Sequence, residues 1–105
     1  MIITLTEPVV LGDKAIPVCL PTEDMDDGFL TGKTLTVSGW GDTQQGGSQP
    51  VVLHSVEVPF VPTGVCNTAY NGVINDVMVC AGNITHGEVD SCQGDSGGTL
   101  SKNNI

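Results

Sequence analysis

The sequence predicts an all-β protein, and three observations carry that expectation. Fourteen glycines and six prolines in 105 residues point to short elements joined by turns rather than to a helical bundle. Short β-branched, apolar segments recur between those turns. Only one segment has both a helix start and a helix stop.

Taken in order, Ile2-Ile3-Thr4-Leu5 reads as a first strand ended by Glu7-Pro8. Residues 11–33 hold Gly12, Pro17, Pro21, Gly28 and Gly32 among five acids and read as an irregular connector. Strands are expected near Leu35–Ser38, Val51–Val58 and Val77–Ala81. Around the second, Val56, Val58 and Phe60 alternate with Glu57 and Pro59, the period of a half-buried strand. The helix is expected at about 64–70, with Thr63 as its N-cap and Asn71-Gly72 as its stop.

Charge narrows the function. Twelve acidic residues face 3 basic ones, for a formal net charge of −9, so nothing here neutralises a row of phosphates. Nucleic acid is excluded as a partner, and so is a polybasic membrane contact. No apolar run approaches the ~20 residues that span a bilayer. Met1-Ile2-Ile3-Thr4-Leu5-Thr6-Glu7 lacks a basic leader and does not read as a signal peptide. With 14% charged and 39% hydrophobic residues, the chain is not a disordered acidic tail. Glu23-Asp24-Met25-Asp26-Asp27-Gly28 invites comparison with a calcium loop, but the twelfth position counted from Asp24 is Leu35. It reads as a solvated acidic loop.

Cys19, Cys66, Cys80 and Cys92 are too widely spaced for a zinc site and favour a disulfide framework, hence an oxidising compartment. No cofactor and no metal are expected.

The chemistry is concentrated in Asp90-Ser91-Cys92-Gln93-Gly94-Asp95-Ser96-Gly97-Gly98. Glycines beside a serine permit a tight turn and close approach of a substrate carbonyl. They also leave backbone N–H groups to face a developing oxyanion. A serine hydroxyl needs a base to become a nucleophile, normally a histidine. A polar surface turn is the plain alternative for Gly-Asp-Ser-Gly-Gly by itself.

It does not stand by itself. Cys92-Gln93-Gly94-Asp95-Ser96-Gly97-Gly98 resembles the active-site motif of the chymotrypsin/trypsin family of serine proteases, the system from which the general triad template is drawn. Pro17-Val18-Cys19-Leu20-Pro21 resembles the connector between that family's two barrels, and Ser38-Gly39-Trp40-Gly41 the motif opening the second. Cys66 to Tyr70 and Met78-Val79-Cys80-Ala81-Gly82 resemble its helix and strand joined by a disulfide. The resemblance implies a double β-barrel fold. Residues 1–33 would be the last strand of the first barrel with the connector, and 34–105 an incomplete second barrel.

Carried over position by position, the resemblance makes Ser96 the nucleophile and the Gly94 and Ser96 amides the oxyanion hole. Asp90, Ser91 and Gln93 would bind substrate. Asp90 would lie at the base of the specificity pocket, where a carboxylate takes Lys or Arg, and Gln93 at its rim. Asp95 would pair with the ammonium made when a zymogen is cleaved, and Gly39 and Trp40 would support the barrel beneath. Cys66 and Cys80 would form a disulfide, while Cys92 and Cys19 would find partners outside this chain. The cysteines of a further family bridge are replaced together, by Leu35 and Lys102. Thr99 stands where the family usually has proline.

The catalytic base is not recognisable. His54 and His86 both lie outside the family's Ala-Ala-His-Cys context and read as surface histidines. By the same resemblance the chain begins about two residues after the triad aspartate and ends before the strands that wall the pocket. Loss of the histidine alone costs on the order of 10⁶ in turnover in an analogous triad, so the fragment is expected to be inactive. Its partners would be the missing N- and C-terminal parts of the same protease, and peptides with Lys or Arg before the scissile bond. The parent would be secreted, and Asn83-Ile84-Thr85 is a glycosylation sequon compatible with that. Two alternatives remain. One is a non-catalytic homologue acting as a binding or regulatory module. The other is an unrelated β module stapled by Cys19–Cys92.

Overall fold

A computed structural model describes residues 2–83 and 90–102. Its centre is a four-stranded sheet in the order β3-β2-β1-β4, antiparallel throughout. The strands are β1 (Thr34–Gly39), β2 (His54–Val61), β3 (Cys80–Ala81) and β4 (Thr99–Ser101). Two short helices, α1 (Asp27–Leu30) and α2 (Thr63–Ala69), flank it. The all-β class holds.

The β1–β2 pair is the organising unit, with Leu35 opposite Val58 and Val37 opposite Val56. The expected alternation in β2 is present: Val58 and Phe60 are buried, while Glu57 and Pro59 are exposed. Leu35, Val58 and Phe60 form the core, with Leu30, Val37, Val56 and Ala81 packed against it. β2 begins three residues later than the sequence suggests, leaving Val51, Val52 and Leu53 exposed, and it runs through Pro59 to Val61. Proline is tolerated there because toward β3 it only has to accept, from the Gly82 N–H at 2.9 Å.

Other boundaries also move. Residues 2–5 form no strand and are exposed, Ile2 at 96% and Ile3 at 70%. No described segment pairs with them, and an unpaired strand leaves its backbone groups to water. The expected strand at 77–81 shrinks to Cys80–Ala81, because β2 offers only Phe60 and Val61 as partners. The connector contains α1, one helical turn within residues 11–33.

Helix α2 lies where expected, but Thr63 is its first residue rather than its cap. Pro62 holds the cap position and makes no side-chain hydrogen bond. The capping acceptor comes from α1: Asp27 takes the Thr63 N–H at 2.7 Å and the Thr63 hydroxyl at 2.9 Å. Asp26 in turn accepts the Phe29 N–H at 2.9 Å and caps α1. Two members of the acidic run are thus structural, which corrects its reading as merely solvated. At the other end Asn71 adopts φ 55° and the Gly72 N–H returns to the Asn67 carbonyl, stopping the helix as expected.

Cys66 of α2 is bonded to Cys80 of β3, closing a 14-residue separation. Cys19 and Cys92 are not bonded to each other, so the module stapled by Cys19–Cys92 is overturned. Where the further bridge is lost, Leu35 is core and the Lys102 ammonium lies 5.1 Å from the centre of the Phe29 ring. No described helix is long and apolar enough to cross a membrane.

Candidate active site

The 92–98 loop is built around one side chain, Asp95. Its Oδ1 accepts the Gly41 N–H at 2.8 Å and its Oδ2 the Cys92 N–H at 3.0 Å. Its own N–H donates to the Cys92 carbonyl at 3.1 Å, and its carbonyl accepts from the Gly98 N–H at 2.9 Å. Beside it the Asp42 N–H donates to the Gln93 carbonyl at 2.8 Å. Two successive amides just beyond β1 thus grip the loop, and β4 begins directly after it at Thr99. There Thr99 pairs with Ser38, their hydroxyl oxygens 3.2 Å apart.

This grip determines what the loop presents. Gly94 adopts φ 99°, a conformation that a side chain strains. Ser96 is exposed. Among the described residues, the Gly94 and Ser96 amides have no acceptor, whereas those of Cys92, Asp95 and Gly98 do. An exposed hydroxyl on a loop with free N–H donors has the groups needed for nucleophilic attack on a carbonyl and stabilisation of the resulting oxyanion.

Asp90 is exposed, and its Oδ1 accepts the Ser91 N–H at 2.7 Å and the Ser91 hydroxyl at 3.4 Å. It lines a cavity of about 220 Å³ with Ser91, Asp95, Gly98 and Val37. It also lines one of about 280 Å³ with Asp42, Asp95 and His54. Three carboxylates on one concavity favour a cationic occupant. Ser96 lines neither of these two cavities, and Gln93 is exposed beside the loop. His54 is exposed at the start of β2. His86 and the sequon residues Ile84 and Thr85 lie outside the described residues. No group of three or more His, Cys, Asp or Glu side chains suited to a metal occurs among the described residues.

Gly39, the last residue of β1, and Gly41 both face Asp95. A Cβ built on Gly39 would overlap the carboxylate, and one on Gly41 would stand 2.6 Å from Oδ2. Trp40 between them is 55% exposed. The part played by Gly41 was missed because nothing in local spacing links residue 41 to residue 95. The glycine pair flanking Trp40 was the available clue.

The chain belongs to the trypsin family: the family described as Trypsin matches residues 1–105. Serine proteinase stubble of Drosophila melanogaster is 39% identical over 104 residues. Serine protease filzig of the same fly is 38% identical over 104, and transmembrane protease serine 9 of Rattus norvegicus 39% over 100. Each match covers 94% of this chain but only 13%, 6% and 9% of those three relatives, respectively. The chain is thus similar to a small part of much longer serine proteases.

Proposed function

We infer that this chain is the nucleophile-bearing part of a trypsin-like serine endopeptidase that cleaves after Lys or Arg. One observation carries the reading: a loop tied down through Asp95 leaves Ser96 exposed, with the Gly94 and Ser96 amides unbonded. Ser96 attacks the scissile carbonyl, those amides receive the oxyanion, and an acyl-enzyme forms and is hydrolysed. Asp90, with Ser91 and Gln93, takes the substrate side chain. Asp90 also shares a concavity with Asp42 and Asp95, and that acidic lining supports a cationic group beside Asp90.

The general base and its carboxylate partner come from outside this chain, as do the walls of the specificity pocket. Residues 1–33 serve as connector and 34–105 as the larger part of the second barrel. The Cys66–Cys80 disulfide supports export of the parent to an oxidising compartment.

The test is labelling of the full-length, activated protein with a fluorophosphonate, followed by peptide mapping. Modification of Ser96 is expected, and modification elsewhere or none at all removes the assignment in favour of a non-catalytic homologue. Specificity is tested separately with peptide amides carrying Arg, Lys or Leu before the scissile bond. Asp90→Ala is expected to lower kcat/KM for the cationic substrates by at least about 100-fold, because a charged partner is left unpaired. An equal loss for the Leu substrate would refute the pocket role.

A further inference from the structure

Gly39 and Gly41 are glycines for a reason that their backbone does not supply. Neither has a positive φ, unlike Gly94 and Gly97, so the left-handed conformation that favours glycine is not what selects them. What excludes a side chain is Asp95. Gly39 ends β1 and Gly41 lies two residues on, in a bend, and the missing side chains of both converge on the same neighbour. The space their side chains would fill is occupied by the Asp95 carboxylate. The obstacle is not the free end of a flexible chain: both carboxylate oxygens are fixed by backbone N–H groups, one of them that of Gly41 itself.

We propose that Gly39 and Gly41 are positioning residues whose missing side chains form the slot that holds the Asp95 carboxylate and thereby sets the Gly94 and Ser96 amides. Gly41 acts twice, making the room and donating the hydrogen bond. A methyl group at position 41 displaces the carboxylate and breaks the Gly41 and Cys92 bonds together. Because Asp95 is bonded covalently to both Gly94 and Ser96, its displacement moves the Ser96 N–H and hydroxyl with it. The catalytic half of the proposal rests on Ser96 as nucleophile. The slot itself rests on geometry alone.

The experiment is a double-mutant cycle in the full-length protein with Gly41→Ala, Asp95→Ala and the double variant. Gly41→Ala is expected to lower the thermal midpoint, and in the Asp95→Ala background the same change is expected to have almost no effect. Equal shifts in both backgrounds would assign position 41 a purely backbone role and overturn the slot. Should Gly41→Ala fail to fold, recovery of folding in the double variant supports the slot, and failure of both the double and Gly39→Ala/Asp95→Ala overturns it. Hydrogen exchange on the unsubstituted protein adds a reading free of folding defects. The Gly41 and Cys92 amides are expected to be protected together, and rapid exchange of both is incompatible with the slot.

The catalytic half is read from kinetics. Gly41→Ala is expected to lower kcat about 100-fold, the scale of losing an oxyanion donor, with KM changed by no more than about threefold. A change confined to KM overturns positioning of the amides. If the cycle shows coupling but the unsubstituted protein is never labelled at Ser96, the protease reading fails and the slot stands.

Discussion

Two aspartates hold the two ends of the β1–β2 pair, and they do so in different surroundings. Just beyond the C-terminal end of β2, Asp27 accepts the N–H and hydroxyl of Thr63. At the opposite end, beyond the C-terminus of β1, Asp95 accepts the N–H groups of Gly41 and Cys92. Each carboxylate joins segments far apart in sequence. Asp27 is exposed, and its loss exchanges protein donors for water. Asp95 is half-buried against two glycines, and its loss frees two backbone donors that hold the loop. The same chemistry is therefore a helix cap at one end and the anchor of the candidate nucleophile at the other.

The largest separation between the two ends is expected in chemistry. Asp95→Ala should reduce fluorophosphonate labelling of Ser96 in the full-length protein by about 100-fold or more, whereas Asp27→Ala should leave the rate unchanged. Equal losses would show that both aspartates serve the site alike. Next comes the disulfide, which belongs to the Asp27 end because it ties α2 to β3. Replacing Cys66 and Cys80 by Ala should cost about 3 kcal/mol on the chain-entropy estimate, read from denaturant unfolding. Protection of the Gly41 amide below the unfolding transition should persist in that variant, and its loss would show that the two ends are not independent.

Asp27→Ala itself should cost about 1 kcal/mol, the ordinary value of a helix cap. Asp27→Asn should recover part of it, because the amide oxygen still accepts from the Thr63 N–H. No recovery would mean that charge rather than capping holds α1 to α2. The smallest effect is expected at Lys102, whose ammonium lies over the Phe29 ring of α1. Lys102→Met should cost roughly 0.5 kcal/mol, as for an exposed cation–π contact. A cost equal to that of Asp27→Ala would make this contact the main tether of α1.

Legibility followed the range of the interactions. The β2 alternation was readable because burial on one face of a strand imposes a period of two on the residues themselves. The stop of α2 at Asn71-Gly72 was readable because it depends on a few adjacent residues. The first strand was misread for the complementary reason. Ile2–Leu5 has strand-like composition, but a strand exists only with a partner, and composition does not report one. Thr63 was misread as a cap because a hydroxyl at a helix start usually accepts from the helix. Here it donates to an aspartate 36 residues away.

By itself the sequence determined the fold class, the Cys66–Cys80 pairing through its resemblance, and the segment that holds the candidate nucleophile. Those rest on local periodicity, turn chemistry and the order of short motifs. Only the tertiary structure decided why Gly39 and Gly41 are glycines, what Asp27 caps and how Asp95 is held. Each of these depends on a contact across 36 or more residues. Such a contact leaves a residue type at each end but no spacing that links them, so folding alone brings the two halves together.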